Sequence, residues 1–175
     1  KNVYGLQPES PASKKMVRAV VYNPEANLEC AIKAAEEFAG EEYLCPGDYF
    51  SYVSAKTGQK KHVFIMKQMG TDLLELLNKD CLSYDEKTYI LFYVALGVQK
   101  MHRKMWPHSD IKPENILCNH DAASPVESEV VLSDFDFARK YEECQELVSC
   151  GTPGYAAPEL FKANGERGKG AEKAM

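Results

Sequence analysis

No stretch of the 175 residues is apolar over the roughly 20 positions that a membrane-spanning helix needs, so no transmembrane segment is expected. The first residues lack the charged-then-apolar order of a secretory leader, although a start at Lys1 leaves open a leader already removed. A basic excess is also missing: Lys and Arg number 21 against 26 Asp and Glu, for a net charge of −5. That balance argues against nucleic acid as the main ligand and leaves room for a local basic pocket that takes phosphates. No two cysteines have CxxC spacing, which gives zinc little support. The six cysteines read first as reduced, buried thiols, and Cys144 and Cys150 are near enough to pair in an oxidising compartment. Internal repeats are absent. What is present, 45% hydrophobic residues with 27% charged, excludes wholesale disorder and suffices for one core or two small ones.

The first part of the chain reads as strands with one poor helix. Residues 16–22 (MVRAVVY) and 28–34 (LECAIKA) are β-prone, and Asn23-Pro24 between them predicts an antiparallel hairpin. A short helix is expected over 36–44, and strands over 49–54 and 62–68. After Gly70 the pattern turns helical. A short helix over 72–77 precedes Ser83-Tyr84-Asp85-Glu86, a capping box that opens a helix to about Arg103. Ile90, Val94, Val98 and Met101 lie on one stripe of it. Short strands follow at 116–118 and 130–132, with a polar insertion at 119–129 between them. A β-rich unit over 1–70 followed by a mainly helical unit over 71–175 is an α+β arrangement.

Chemistry concentrates after the long helix. Residues 108–117 read HSDIKPENIL, which place an acid (Asp110), a cation (Lys112) and an amide (Asn115) within one turn-rich segment. Each alone is more often structural: a turn cap, a surface charge, an amide bonded to its own backbone. Further on, Asp134 ends the apolar run VVLS beside Phe135 and Phe137, where a carboxylate needs a cationic partner such as magnesium. Then comes GTPGYAAPE, from Gly151 to Glu159.

Together these three segments resemble the catalytic loop, magnesium loop and activation-segment end of the eukaryotic protein kinases. The resemblance implies a bilobal fold that uses ATP and magnesium to phosphorylate a protein substrate. Asp110 would orient the substrate hydroxyl and accept its proton, and Lys112 would neutralise the moving phosphoryl group. Asn115 and Asp134 would hold the metal. Lys112 and Thr152 are similar to the Ser/Thr-specific branch. Cys30-Ala31-Ile32-Lys33 resembles the family's VAIK strand, which makes Lys33 the expected phosphate ligand. Glu36, Glu37, Glu41 and Glu42 all qualify as its partner, and Glu41 is preferred because Leu44 follows three residues later. Met66 takes the gatekeeper place, with Lys67, Gln68 and Met69 offering backbone groups to adenine.

Four features depart from the pattern. Residues 5–16 (GLQPESPASKKM) contain no GxGxxG, the loop whose amides approach phosphates. Lys14 and Lys15 offer charge there. In lacking that loop the chain resembles the with-no-Gly-loop kinases of apicomplexan parasites, which implies secretion into a parasite vacuole; an intracellular site is the default otherwise. The magnesium motif reads Asp134-Phe135-Asp136, Ser109 replaces the catalytic-loop arginine, and the sequence ends soon after Glu159, so an incomplete C-lobe is expected. Two functions stay open: an active, atypical Ser/Thr kinase, or a pseudokinase that binds or scaffolds.

Overall fold

A computed structural model describes residues 2–6, 17–22, 28–120, 128–146 and 150–157. Two four-stranded sheets share the chain. Strands β1 (Asn2–Leu6), β2 (Val17–Tyr22), β4 (Asp48–Val53) and β5 (Lys60–Lys67) form the first, in the order β1-β2-β5-β4 with every pair antiparallel. The second, ordered β3-β8-β7-β6, comprises β3 (Leu44–Cys45), β6 (Thr71–Asp72), β7 (Ile116–Asn119) and β8 (Glu129–Ser133). Helices α1 (Glu29–Glu37), α2 (Leu73–Asn78) and α3 (Tyr84–Arg103) complete an α+β fold.

The expected strand over 28–34 is instead the start of α1, and the helix expected over 36–44 ends at Glu37. The helix prevails for three local reasons. Alanines 31, 34 and 35 favour it. Glu29 and Lys33 form an i,i+4 ion pair at 3.0 Å. Leu28, Ala31 and Ala35 are spaced to bury one face against Phe64. Strand β2 therefore has no hairpin partner at 28–34 and pairs with β1 and β5.

The later elements follow their sequence signals. Asp72 caps α2 by accepting from the Glu75 amide, and the Ser83–Glu86 capping box is formed in both directions. Ile90, Val94 and Met101 bury the inner face of α3, with Val98 partly buried beside them. Gly97 lets the preceding loop lie against this helix, because a Cβ there would meet the Tyr43 carbonyl oxygen at 3.0 Å. That loop carries β3, which joins β8 in parallel and so ties the segment after α1 to the second sheet. The central core gathers Phe38, Leu73, Met101, Trp106, Leu132 and Phe135. Phe38 and Trp106 meet edge to face at 5.5 Å.

Lysines fix α1 from outside. Lys104 pairs with Glu37 and Glu41, both at 3.3 Å, and Lys100 reaches Glu41 at 3.3 Å. Phe38, fully buried between α1 and the second sheet, carries much of the packing. Replacing it with alanine is expected to lower unfolding free energy by about 3–5 kcal/mol. Urea denaturation followed by tryptophan fluorescence measures this, and a loss below about 1 kcal/mol contradicts the packing described.

Candidate active site

The loop after α3 turns on His108, which is buried and bonded on both ring nitrogens. Its Nε2 lies 3.1 Å from the Ser133 carbonyl oxygen and its Nδ1 accepts from the Asp110 amide at 3.3 Å. That pattern selects the neutral ring protonated at Nε2, and burial pushes the His108 pKa down to about 4. The imidazole also packs on Phe135 at 5.1 Å. One side chain thus holds the loop at Asp110 to the end of β8. Both flanks are forced into left-handed backbone: Ser109 has φ 68° and Asp134 φ 64°. Non-glycine residues in this region carry strain, which concentrates at functional sites.

Asp110 is buried and surrounded by donors. Lys112 Nζ lies 2.9 Å from Oδ2, Asn115 Nδ2 donates to the same oxygen at 3.1 Å, and the Thr152 hydroxyl donates to Oδ1 at 2.7 Å. Lys112 also donates to Thr152 Oγ1 at 2.7 Å. Burial would raise the Asp110 pKa, but the bonds from Lys112 and Thr152 and the Lys112 charge outweigh it, leaving it below the usual carboxylate value. Gly151 makes the Thr152 contact possible. It sits at φ 90°, and a Cβ there would meet the Ser109 carbonyl oxygen at 2.6 Å. Cys150, next to Gly151, is a buried free cysteine.

Above this cluster, a cleft of about 100 Å³ opens between the two sheets. Arg18, Val20 and Tyr22 line it from β2, Phe64 and Met66 from β5, and Ala31 from α1. Asn115, Asp134, Phe135 and Asp136 form its floor. Tyr22 donates its hydroxyl to Asp136 Oδ1 at 3.1 Å. Burial, then the charges of Asp136 and Asp134, push the Tyr22 pKa upward, so the hydroxyl keeps its proton.

Residues 48–172 match the protein kinase domain. The chain belongs to that family. Among curated relatives, it is 30% identical over 110 residues to the serine/threonine-protein kinase H1 homolog of Danio rerio, covering 61% of this chain and 25% of that protein. It is 34% identical over 108 residues to myosin light chain kinase family member 4 of Mus musculus, covering 58% and 27%. The chain therefore spans about a quarter of the length of these relatives.

Within the kinase domain, the expected loop residues Asp110, Lys112, Asn115 and Thr152 stand together, and Asp134 lines the cleft beside Asn115. The donor set fits magnesium, which takes one or two protein oxygens plus phosphates. Asn115 spends its amide hydrogens on the Asp110 carbonyl at 2.8 Å and its carboxylate at 3.1 Å, which leaves Oδ1 as an acceptor. Met66 lies on the cleft wall at the end of β5, opposite Arg18 in register. Met69 is buried against Leu117 and Val131, and Gln68 has a buried Oε1 with no hydrogen-bond partner among the described residues. Lys67 pairs with Glu129. Asn119, which the motifs do not mark, fixes this crossing segment by accepting from the Gly70 amide at 2.7 Å. Glu159, Lys14 and Lys15 lie outside the described residues.

Two expectations are corrected. Lys33 is not on a strand: it stands on α1, pairs with Glu29 and Glu143 at 3.0 Å each, and is absent from the residues lining the cleft. Glu41 follows α1 and binds Lys100 and Lys104, so it is not the partner of Lys33. Protein kinases carry the phosphate-binding lysine on the strand before this helix, paired with a helix glutamate. Here that strand is β2, whose Tyr22 bonds Asp136. The described part of α1 presents Ala31 to the cleft where a carboxylate is expected. The alternation of β2 was the available signal: Arg18, Val20 and Tyr22 share one face.

Lys33→Ala is expected to leave nucleotide affinity within about twofold, because one such surface ion pair contributes about 0–1 kcal/mol; a tenfold loss in a binding titration restores the phosphate role. His108 binds protons more readily unfolded than folded, so its contribution to stability is present above pH 6.5 and is lost as pH falls toward about 4. His108→Gln should flatten that part of the stability–pH curve, measured by denaturant unfolding between pH 7 and pH 4. An unchanged slope would show that His108 is not buried neutral.

Proposed function

We propose that this kinase domain transfers the γ-phosphate of ATP to Ser or Thr hydroxyls of protein substrates. The observation that carries the reading is the cluster of Asp110, Lys112 and Thr152, joined by contacts of 2.7–2.9 Å. Phosphoryl transfer requires an aligned hydroxyl and positive charge more than covalent help. Asp110, held below the usual carboxylate value, is ionised at neutral pH and can accept the proton of the attacking hydroxyl. The Thr152 hydroxyl orients Oδ1, and Lys112 sets its ammonium where negative charge develops. Asn115 Oδ1 and the Asp134 carboxylate are the residues that would hold magnesium, which when bound supplies charge neutralisation at the phosphates. Backbone groups of Lys67, Gln68 and Met69 serve adenine in this reading. The lack of a glycine-rich loop in 5–16 supports placing the chain with the with-no-Gly-loop kinases, and with them the vacuolar location.

A second reading, a pseudokinase that binds without turnover, is favoured by one specific observation: no lysine of β2 or α1 lines the cleft among the described residues. Radiolabel transfer from ATP to a mixed Ser/Thr peptide library separates the two. Asp110→Asn should lower transfer by about a hundredfold or more, the usual range for losing a positioned base. Equal labelling by wild type and Asp110→Asn overturns the catalytic assignment, and no labelling by either favours the binding module.

A further inference from the structure

The cleft carries a contact that phosphoryl transfer does not use. Tyr22 ends β2 in the first sheet, while Asp136 lies two residues past Asp134 at the end of β8 in the second. Their hydrogen bond at 3.1 Å, with the other carboxylate oxygen at 3.4 Å, joins the two sheets across the cleft. The ring is fixed as well, packed edge-on against Phe64 at 5.6 Å and 69°. Tyr22 therefore reaches the magnesium loop as part of a packed wall.

The surrounding residues agree with this arrangement. A lysine at this position would be matched by a carboxylate on the helix, and α1 offers Ala31 to the cleft. The acidic residues of α1 are engaged elsewhere or exposed: Glu29 pairs with Lys33, Glu37 with Lys104, and Glu36 is exposed. Both halves of the ion pair are thus replaced together, by a hydroxyl and a methyl. The cleft offers about 100 Å³, short of the roughly 300–1,000 Å³ typical of ligand pockets. Tyr22 and Asp136 line this space together with Asp134.

We propose that Tyr22 is an inter-sheet latch standing in the place of the phosphate-binding lysine, and that its bond to Asp136 holds the phosphate end of the cleft closed against Mg-ATP. The inference rests on the reading of this cleft as the nucleotide site. A hydrogen bond to a charged group that must break before binding lowers affinity by about tenfold. Tyr22→Phe keeps the ring on Phe64 and removes the hydroxyl that forms the latch, and Tyr22→Lys supplies the missing cation as well.

Calorimetric titration of the full chain with ATP, in magnesium and in EDTA, gives the first readout. Tyr22→Phe should bind Mg-ATP about tenfold tighter than wild type, and Tyr22→Lys at least as tightly. Asp136→Ala should give a similar gain that does not add to that of Tyr22→Phe. Amide hydrogen exchange without nucleotide is the second readout: residues 134–138 should exchange faster in Tyr22→Phe, with the melting temperature showing that the fold is kept. Wild type and Tyr22→Phe binding Mg-ATP within twofold, or gains that simply add, overturn the latch and leave the transfer reading standing. Tighter binding by Tyr22→Phe together with no effect of Asp110→Asn on labelling keeps the latch and removes the transfer reading. Absence of binding by every variant overturns the latch.

Discussion

A carboxylate taken out of water has to be repaid in hydrogen bonds and opposite charge, and Asp110 shows how far that demand shapes this domain. Its two oxygens take an ammonium, an amide and a hydroxyl from three positions of the sequence: Lys112, Asn115 and Thr152. Thr152 comes from a segment beyond the second sheet, which approaches only because Gly151 has no Cβ to strike the Ser109 carbonyl. His108 then fastens the loop to Ser133, and Ser133 returns a hydroxyl bond to the Asn115 carbonyl at 3.1 Å. The 108–115 loop, the end of β8 and the segment at Thr152 are consequently one hydrogen-bonded unit.

The strain at Ser109 and Asp134 belongs to the same unit. Two left-handed residues, Ser109 and Asp134, lie on either side of the buried imidazole. Phe135 goes inward to the core, against His108 and Phe38, while Asp134 stays on the cleft wall. Core packing and site geometry thus depend on each other, and α1 enters the same balance through Phe38 at its end and the Glu37–Lys104 pair.

Legibility differed between the two halves for a physical reason. The later half was readable because its signals are local: a capping box closes within four residues, and the segments 108–117 and 134–136 keep their reacting groups within a few positions. The earlier half was misread at 28–34. There Ala-Ile-Lys matched a strand motif while the i,i+4 pair of Glu29 and Lys33 and the alanine content favoured a helix. Once α1 took those residues, the strand preceding it became β2, and the proposed latch puts Tyr22 in the lysine place. No short motif marks that substitution, because its meaning lies in a contact spanning from Tyr22 to Asp136.

From the order of residues alone came the α+β class, the kinase family resemblance and the expectation that Asp110, Lys112, Asn115 and Asp134 lie near one another. These depend on short-range spacing, which the chain carries wherever it folds. Tertiary structure decided which side chains face the cleft. Lys33 points to Glu29 and Glu143, Glu41 to Lys100 and Lys104, and Tyr22 closes on the magnesium loop. Facing is set by strand register and helix rotation, where a shift of one residue on a strand sends a side chain to the opposite side.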